Sequence, residues 1–146
     1  MGPRSLCRNV LVVDDDDDAR RLIHSRLAED ARTGMVWEAT DPLTASALVE
    51  FLPVDVVVLD FLLAQGTAVD CLPALRRHRP DSRIVVYTAS MQLARGAHVL
   101  GLGADQLVHR WGFDVDQDIG SIAFGSPSLA AVSAGRSGPS SVPAGE

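Results

Sequence analysis

The polar residues of this sequence that could do chemistry follow apolar runs, each at the point where a run ends. They are Asp14 and Asp15, then Asp60, Thr88 and Arg110. Oxygen-only carboxylate groups are the ligands that Mg²⁺ prefers, and an aspartate beside such an ion can attack phosphorus to form an aspartyl-phosphate. Thr88 would then donate a hydrogen bond to one phosphoryl oxygen, and Arg110 would neutralise another. These residue types predict a phosphoryl-transfer site if the fold brings them together.

Five apolar runs alternate with segments of helical periodicity, and these are the elements that must position the candidate residues. The predicted strands are residues 9–13, 35–39, 54–59, 83–87 and 106–109. The predicted helices are residues 17–29, 42–52, 69–78 and 91–100, with a weaker one at 114–123. Five successive βα units predict an α/β fold with a doubly wound parallel sheet, whose ligand site lies at the carboxyl ends of the strands. No G-x-G-x-x-G follows the first strand, which argues against dinucleotide binding.

Within these elements, the periodicity predicts which side chains face the core. In the first helix Ala19, Leu22, Ile23 and Leu27 share the apolar face, with Arg20, Arg21 and Arg26 largely opposite. The second helix begins at Asp41-Pro42 and carries Leu43, Ala47, Leu48 and Phe51. Gly34 is expected to break the chain before the second strand, and Pro73 to lie in the first turn of the third helix.

Composition limits the classes of protein to which the chain can belong. A chain of 146 residues with 47% hydrophobic residues suits one globular domain, assigned to residues 8–120. The Ser/Gly/Ala/Pro-rich residues 121–146 are predicted to be a disordered tail. A net charge of −6 without a basic stripe argues against nucleic-acid binding, and no apolar run is long enough to span a membrane. With only two cysteines and no secretory signal, a cytoplasmic location is expected.

Each candidate residue also has an ordinary structural explanation when it is taken alone. The run from Asp14 to Asp18 would be a solvated acidic loop, Asp60 a turn residue, Thr88 a helix N-cap and Arg110 a surface cation. Their joint placement at successive strand ends favours one site over four unrelated explanations. The chain contains no lysine, so no mechanism here can use a side-chain ammonium group.

Four short motifs together resemble a response-regulator receiver domain over residues 8–120. They are V-L-V-V-D-D ending at Asp15, V-V-V-L-D ending at Asp60, V-V-Y-T-A around Thr88 and G-L-G-A-D ending at Asp105. The resemblance implies the flavodoxin-like strand order 2-1-3-4-5. It also implies transfer of a phosphoryl group to an aspartate from a histidine kinase or phosphotransfer protein.

Roles for individual residues also follow from the resemblance. Asp15 and Asp60 would bind Mg²⁺ directly, Asp14 through water or a hydrogen bond, and Leu62 through its backbone carbonyl. Asp60 would be the phosphoacceptor and Thr88 the switch hydroxyl. Output would pass to a downstream protein through the face formed by the fourth helix, fifth strand and fifth helix. Candidate contacts on that face are Met91, Leu93, Val99 and Trp111, of which Leu93 and Val99 are favoured as core residues.

The sequence departs from the family pattern at three places. Arg110 stands where receivers carry lysine, and a planar guanidinium does not reproduce a compact ammonium. The loop after Asp60 lacks the usual proline and has an early glycine, Gly66, so a shorter and differently shaped loop is expected. Leu107 stands where receivers with an aromatic gate carry Tyr or Phe.

Three functions therefore remain open. The first is a stand-alone, atypical response regulator that accepts a phosphoryl group on Asp60 with Mg²⁺ and is not an enzyme acting on other substrates. The second is a degenerate receiver that docks proteins independently of phosphorylation. The third is a haloacid-dehalogenase-like phosphohydrolase, which is disfavoured because Leu62 stands where its second acid would be.

Overall fold

The computed structural model describes residues 7–88, 97–109 and 119–125, and the elements below lie within these ranges. The strands are β1 (Arg8–Val13), β2 (Thr33–Ala39), β3 (Val56–Asp60), β4 (Leu62–Leu63), β5 (Gly66–Thr67), β6 (Arg83–Thr88) and β7 (Gln106–His109). The helices are α1 (Asp17–Ala28), α2 (Pro42–Phe51), α3 (Ala68–His78), α4 (His98–Gly101) and α5 (Ile119–Phe124).

Strands β2, β1, β3, β6 and β7 form, in that order, one parallel sheet. This confirms the predicted doubly wound α/β fold, because the order is 2-1-3-4-5 once the two-residue strands β4 and β5 are left out of the numbering. The register pairs Val13 of β1 with Leu59 of β3, and Asp60 of β3 with Tyr87 of β6. The carboxyl ends of the three central strands therefore lie side by side.

Two hydrophobic clusters, one on each face of the sheet, hold the strands in place. Leu11, Val57 and Val86 face one cluster, which includes residues of α2, α3 and α4. Val12 and Val58 face the other, which includes residues of α1 and α5. Strands that alternate in this way and are buried on both faces are expected for a parallel sheet covered by helices.

Strand β2 begins earlier than predicted and continues through Gly34, so the expected chain break is wrong. The side-chain oxygen of Asn9 accepts a hydrogen bond from the Met35 N–H at 2.9 Å, while its amide donates to the Pro53 carbonyl at 2.9 Å. A Cβ added at Gly34 would lie 2.5 Å from that Asn9 oxygen. Glycine at this position lets the strand approach the neighbouring side chain rather than interrupting it.

The helix faces also differ from the predicted ones. In α1 Arg20 is buried, because its guanidinium finds polar partners between the helix and the sheet. Leu22 is exposed. In α2 the core positions are Ala45 and Val49. Leu43 and Phe51, two of the apolar residues of the predicted helix, are exposed by 81% and 77%, which is possible because this helix is apolar around most of its circumference.

Two further expectations about helices are corrected. Pro73 is the sixth residue of α3 rather than a first-turn residue, so the helix lacks one backbone donor in its second turn. Residues 121–124, assigned by composition to the tail, continue α5, where Ile122 and Ala123 are buried. Arg83 holds this end of the helix by donating to the Ala123 carbonyl at 3.0 Å. Most of the fourth predicted helix and residues 126–146 lie outside the described residues.

Across the part of the chain that is described, every helix is too short or too polar to cross a bilayer.

Candidate acidic site

Three aspartates meet at the carboxyl end of the sheet, as the sequence predicts. Asp14 directly follows β1, Asp15 is the next residue, and Asp60 is the last residue of β3. The N–H of Asp14 donates to the Ala39 carbonyl at 3.0 Å, which fixes the chain where it leaves the sheet toward α1. Each of the three carboxylates contributes an oxygen to a cluster in which these atoms all lie within 4.8 Å of one another.

The burial of the cluster is uneven, and this difference bears on its chemistry. Asp14 is 0% exposed and Asp60 is 4% exposed, whereas Asp15 is exposed to solvent. Three like charges at this spacing repel one another, and a hard cation relieves the repulsion. The oxygen-only ligand set and the open side at Asp15 fit Mg²⁺, which keeps several of its waters when proteins bind it.

Both carboxylate oxygens of Asp14 have hydrogen-bond donors. The backbone N–H of Asp16 donates to Oδ1 at 2.9 Å, and the buried hydroxyl of Tyr87 donates to Oδ2. Tyr87 is not among the residues predicted for the site. The sequence does contain a signal for this residue. Tyr87 is a hydroxyl-bearing residue within an apolar strand, directly before Thr88, and a buried tyrosine O–H requires a hydrogen-bond partner.

The side chain of Arg20 also stabilises the turn that follows Asp14. Its Nη1 donates to the Asp14 carbonyl at 2.9 Å, and its Nε donates to Glu38 on β2 at 2.7 Å. Hydrogen bonds to Glu38 and Asp17 raise the pKa of the Arg20 guanidinium above its ordinary value. Burial acts to raise the pKa of Glu38, but hydrogen bonds from Arg20 and His24 outweigh it, so that this pKa is lowered.

The other predicted site residues are Thr88, Leu62 and Arg110, and the structure describes the first two. Thr88 is the last residue of β6 and is 1% exposed, at the same sheet edge as Asp60. Leu62 is the first residue of β4, in a hairpin that follows Asp60, with its side chain 42% exposed. Arg110 lies outside the described residues.

The loop after Asp60 is a tight hairpin that leads directly into α3. Gly66 has a φ of +150°, and a Cβ there would lie 2.6 Å from the Asp70 carboxylate. That carboxylate accepts from the Thr67 N–H at 2.8 Å, and Thr67 in turn caps the helix. The early glycine noted in the sequence is therefore required by this capping arrangement.

The predicted output face is described only in part, through α4, β7 and α5. Val99 is 0% exposed and packs in the core, as favoured for it, and Leu107 is partly buried against the same cluster. Met91, Leu93 and Trp111 lie outside the described residues.

Comparison with protein families gives a match over most of the chain. The model of the response regulator receiver domain family matches residues 10–111. This range includes all three aspartates of the acidic cluster together with Tyr87 and Thr88.

Curated relatives agree with this match but are longer proteins. The chain is 31% identical over 103 residues to the nitrate/nitrite response regulator protein NarP of Escherichia coli (strain K12), covering 70% of this chain and 48% of that protein. It is 37% identical over 79 residues to protein-glutamate methylesterase/protein-glutamine glutaminase 1 of Caulobacter vibrioides, covering 54% of this chain and 23% of that protein. The chain thus spans about half or less of these relatives.

Solved structures support the fold. A response regulator protein from Burkholderia pseudomallei, described with a phosphorylated aspartic acid, a calcium ion and citrate, superposes with a TM-score of 0.70 at 21% identity, over 86% of this chain and 72% of that chain. A LuxR-family two-component response regulator from Aurantimonas sp. SI85-9A1 gives a TM-score of 0.69 at 23% identity, over 86% of this chain and 94% of that chain.

Proposed function

Because the chain belongs to the response regulator receiver domain family, we propose that it accepts a phosphoryl group on Asp60 with Mg²⁺ in two-component signalling. The donor is a histidine kinase or a phosphotransfer protein. Asp15 and Asp60 hold the ion directly, the Leu62 carbonyl completes the protein's share, and Asp14 acts through water or a hydrogen bond. The site operates in the cytoplasm and turns over no external substrate.

The observation that carries this proposal is the convergence of three carboxylates within 4.8 Å at the carboxyl ends of adjacent strands. The Burkholderia protein, described with a phosphorylated aspartic acid and a calcium ion, supports the same chemistry in a similar fold. When bound, Mg²⁺ neutralises charge on the carboxylates and on the incoming phosphoryl group.

The transfer step replaces one bond to phosphorus with another. A carboxylate oxygen of Asp60 forms a bond to phosphorus, the P–N bond to the donor histidine breaks, and the leaving imidazole takes up a proton from water. Thr88, at the end of the neighbouring strand, donates its hydroxyl proton toward a phosphoryl oxygen. Arg110 supplies the cation that would otherwise come from lysine.

A Phos-tag gel after incubation with acetyl phosphate and Mg²⁺ tests the proposal. We expect a retarded band for the wild-type protein and for Asp81→Asn, an exposed aspartate in the turn before β6. The band should disappear in Asp60→Ala and without Mg²⁺. A band that persists in Asp60→Ala would refute the assignment of the phosphoacceptor.

The second candidate is a phosphorylation-independent docking module, favoured by the absence of lysine and by Arg110 in its place. In that case no donor would shift the wild-type band. Under either function the contact with a downstream protein involves the face that includes α4, β7 and α5, with no nucleic acid and no membrane as partner.

A further inference from the structure

We infer that Tyr87 is a positioning residue of the acidic cluster, which holds the Asp14 carboxylate in place for the cation and couples the site to the strand that carries Thr88. The inference rests on the proposed Mg²⁺ site and adds a residue to it. Tyr87 acts through Asp14, to whose carboxylate its hydroxyl donates.

The Tyr87 side chain is long enough to reach Asp14 from two strands away. Tyr87 belongs to β6 and Asp14 follows β1, and β3 lies between these strands in the sheet. The side chain must therefore cross beneath a whole strand, and two strand spacings are about 9.6 Å. Tyr87 shares a hydrophobic cluster with Val58 of that intervening strand, so its ring packs on the same face of the sheet. A serine or threonine would be too short, and phenylalanine would reach but carry no donor.

Both partners of this hydrogen bond are buried. Asp14 is 0% exposed and Tyr87 is 1% exposed, so water is excluded from the contact between the carboxylate and the hydroxyl. In such surroundings a carboxylate needs donors, and those described for Asp14 are the Asp16 N–H and the Tyr87 hydroxyl. Each oxygen of the Asp14 carboxylate has a second lone pair. The carboxylate can therefore accept both hydrogen bonds and still face the cation.

Tyr87 contacts both sides of the site. Its backbone carbonyl accepts a hydrogen bond from the Phe61 N–H at 2.8 Å, directly after the acceptor Asp60. Its side chain reaches Asp14, and its chain neighbour is Thr88. A change at the cation site that moves Asp14 is therefore transmitted to β6 through a single residue.

Tyr87 is also the only tyrosine of the chain, which makes the inference measurable. In protein labelled with ¹³C at the tyrosine Cζ, one resonance reports the hydroxyl bond. We expect this resonance to shift as Mg²⁺ is added to the wild-type protein, with the same midpoint as backbone amides near Asp15 in an ¹⁵N titration. A Cζ resonance that stays constant while those amides shift would overturn the inference but not the metal site.

The matched variant is Tyr87→Phe, which removes the hydroxyl and keeps the ring. We expect its Mg²⁺ dissociation constant, from the amide titration, to rise about tenfold, as is typical when an outer hydrogen-bonding group of a metal site is removed. Val86→Ala, a buried change on the same strand in the opposite cluster, should lower stability and leave that constant unchanged. An unchanged or tighter constant in Tyr87→Phe would overturn the inference. If the wild-type protein itself shows no Mg²⁺ response, both this inference and the proposed metal site fail.

Discussion

Replacing Arg20 by methionine tests whether a buried cation supports the turn that carries the acidic cluster. Arg20 donates to the buried Asp14 carbonyl at 2.9 Å and to Glu38 at 2.7 Å. Methionine keeps most of the apolar length of the side chain but offers no donor. Both acceptors therefore lose a partner, while the packing of α1 on the sheet changes little.

The expected loss can be worked out contact by contact. A buried acceptor left without this donor costs about 1–2 kcal/mol, and the charge-assisted bond to Glu38 adds about 1–2 kcal/mol. For the bond to Glu38 we use the lower part of the range for hydrogen bonds to charged groups, because the Glu38 side chain is 30% exposed and is partly screened by water. The bond to Asp17 is left out, since that side chain is 64% exposed. The free energy of unfolding should fall by about 2–4 kcal/mol.

Urea unfolding at pH 7, followed by circular dichroism, measures this loss. With an m-value of about 2 kcal/mol/M, the midpoint should fall by about 1–2 M. Arg21→Met is the matched control, because Arg21 is the next residue of the helix, carries the same charge and is exposed. That control should change stability by less than about 0.5 kcal/mol. A loss below about 1 kcal/mol in Arg20→Met, or one equal to that of the control, would refute the reasoning.

Two further predictions concern neighbouring parts of the same network. Since the pKa of Glu38 is lowered in the folded protein, its contribution to stability is present above the unfolded value of 4.5 and is lost as pH falls through the folded pKa. Glu38→Gln should therefore be less stable than wild type at pH 7 in urea unfolding, and the difference should shrink below pH 4.5; a constant difference would contradict this assignment. Gly34→Ala places a Cβ 2.5 Å from the Asn9 oxygen and should cost about 1–3 kcal/mol by thermal or urea unfolding. Its control is Gly101→Ala, which meets nothing within 4 Å and should be neutral or stabilising; equal losses in the two would show that contact with Asn9 is not the cause.

The sheet and the meeting of the aspartates could be predicted because both depend on local sequence. A run such as 56–60, apolar on both faces, fits only an inner parallel strand, and parallel strands place their carboxyl ends at one edge. Once the strand order that the family resemblance implies is set, Asp14 and Asp60 must be neighbours. The prediction therefore needed no knowledge of side-chain packing.

The side-chain network behind the site could not be predicted in the same way. Arg20 is expected on the solvent face because charged residues are usually exposed. Its burial is favourable because the guanidinium meets Glu38 on the edge strand β2 and the carbonyl of Asp14. The apolar residues Leu43 and Phe51 stand out in the sequence of α2, although Ala45 and Val49 are its buried positions. These outcomes depend on which residues a helix meets across space, and helical periodicity alone does not contain that information.

A site of three carboxylates has to be stable before its cation arrives, and the surrounding contacts indicate how this chain achieves it. The Asp14 side chain accepts from a backbone N–H and from a tyrosine hydroxyl, and its carbonyl accepts from a buried guanidinium. These donors partly offset the repulsion among the carboxylates without adding a lysine at the site. In the proposed metal site, the exposed Asp15 would be the ligand through which an ion enters. The cluster is therefore pre-organised mainly through Asp14, and we expect substitutions of its donors to affect cation binding more than equally destabilising substitutions elsewhere in the sheet.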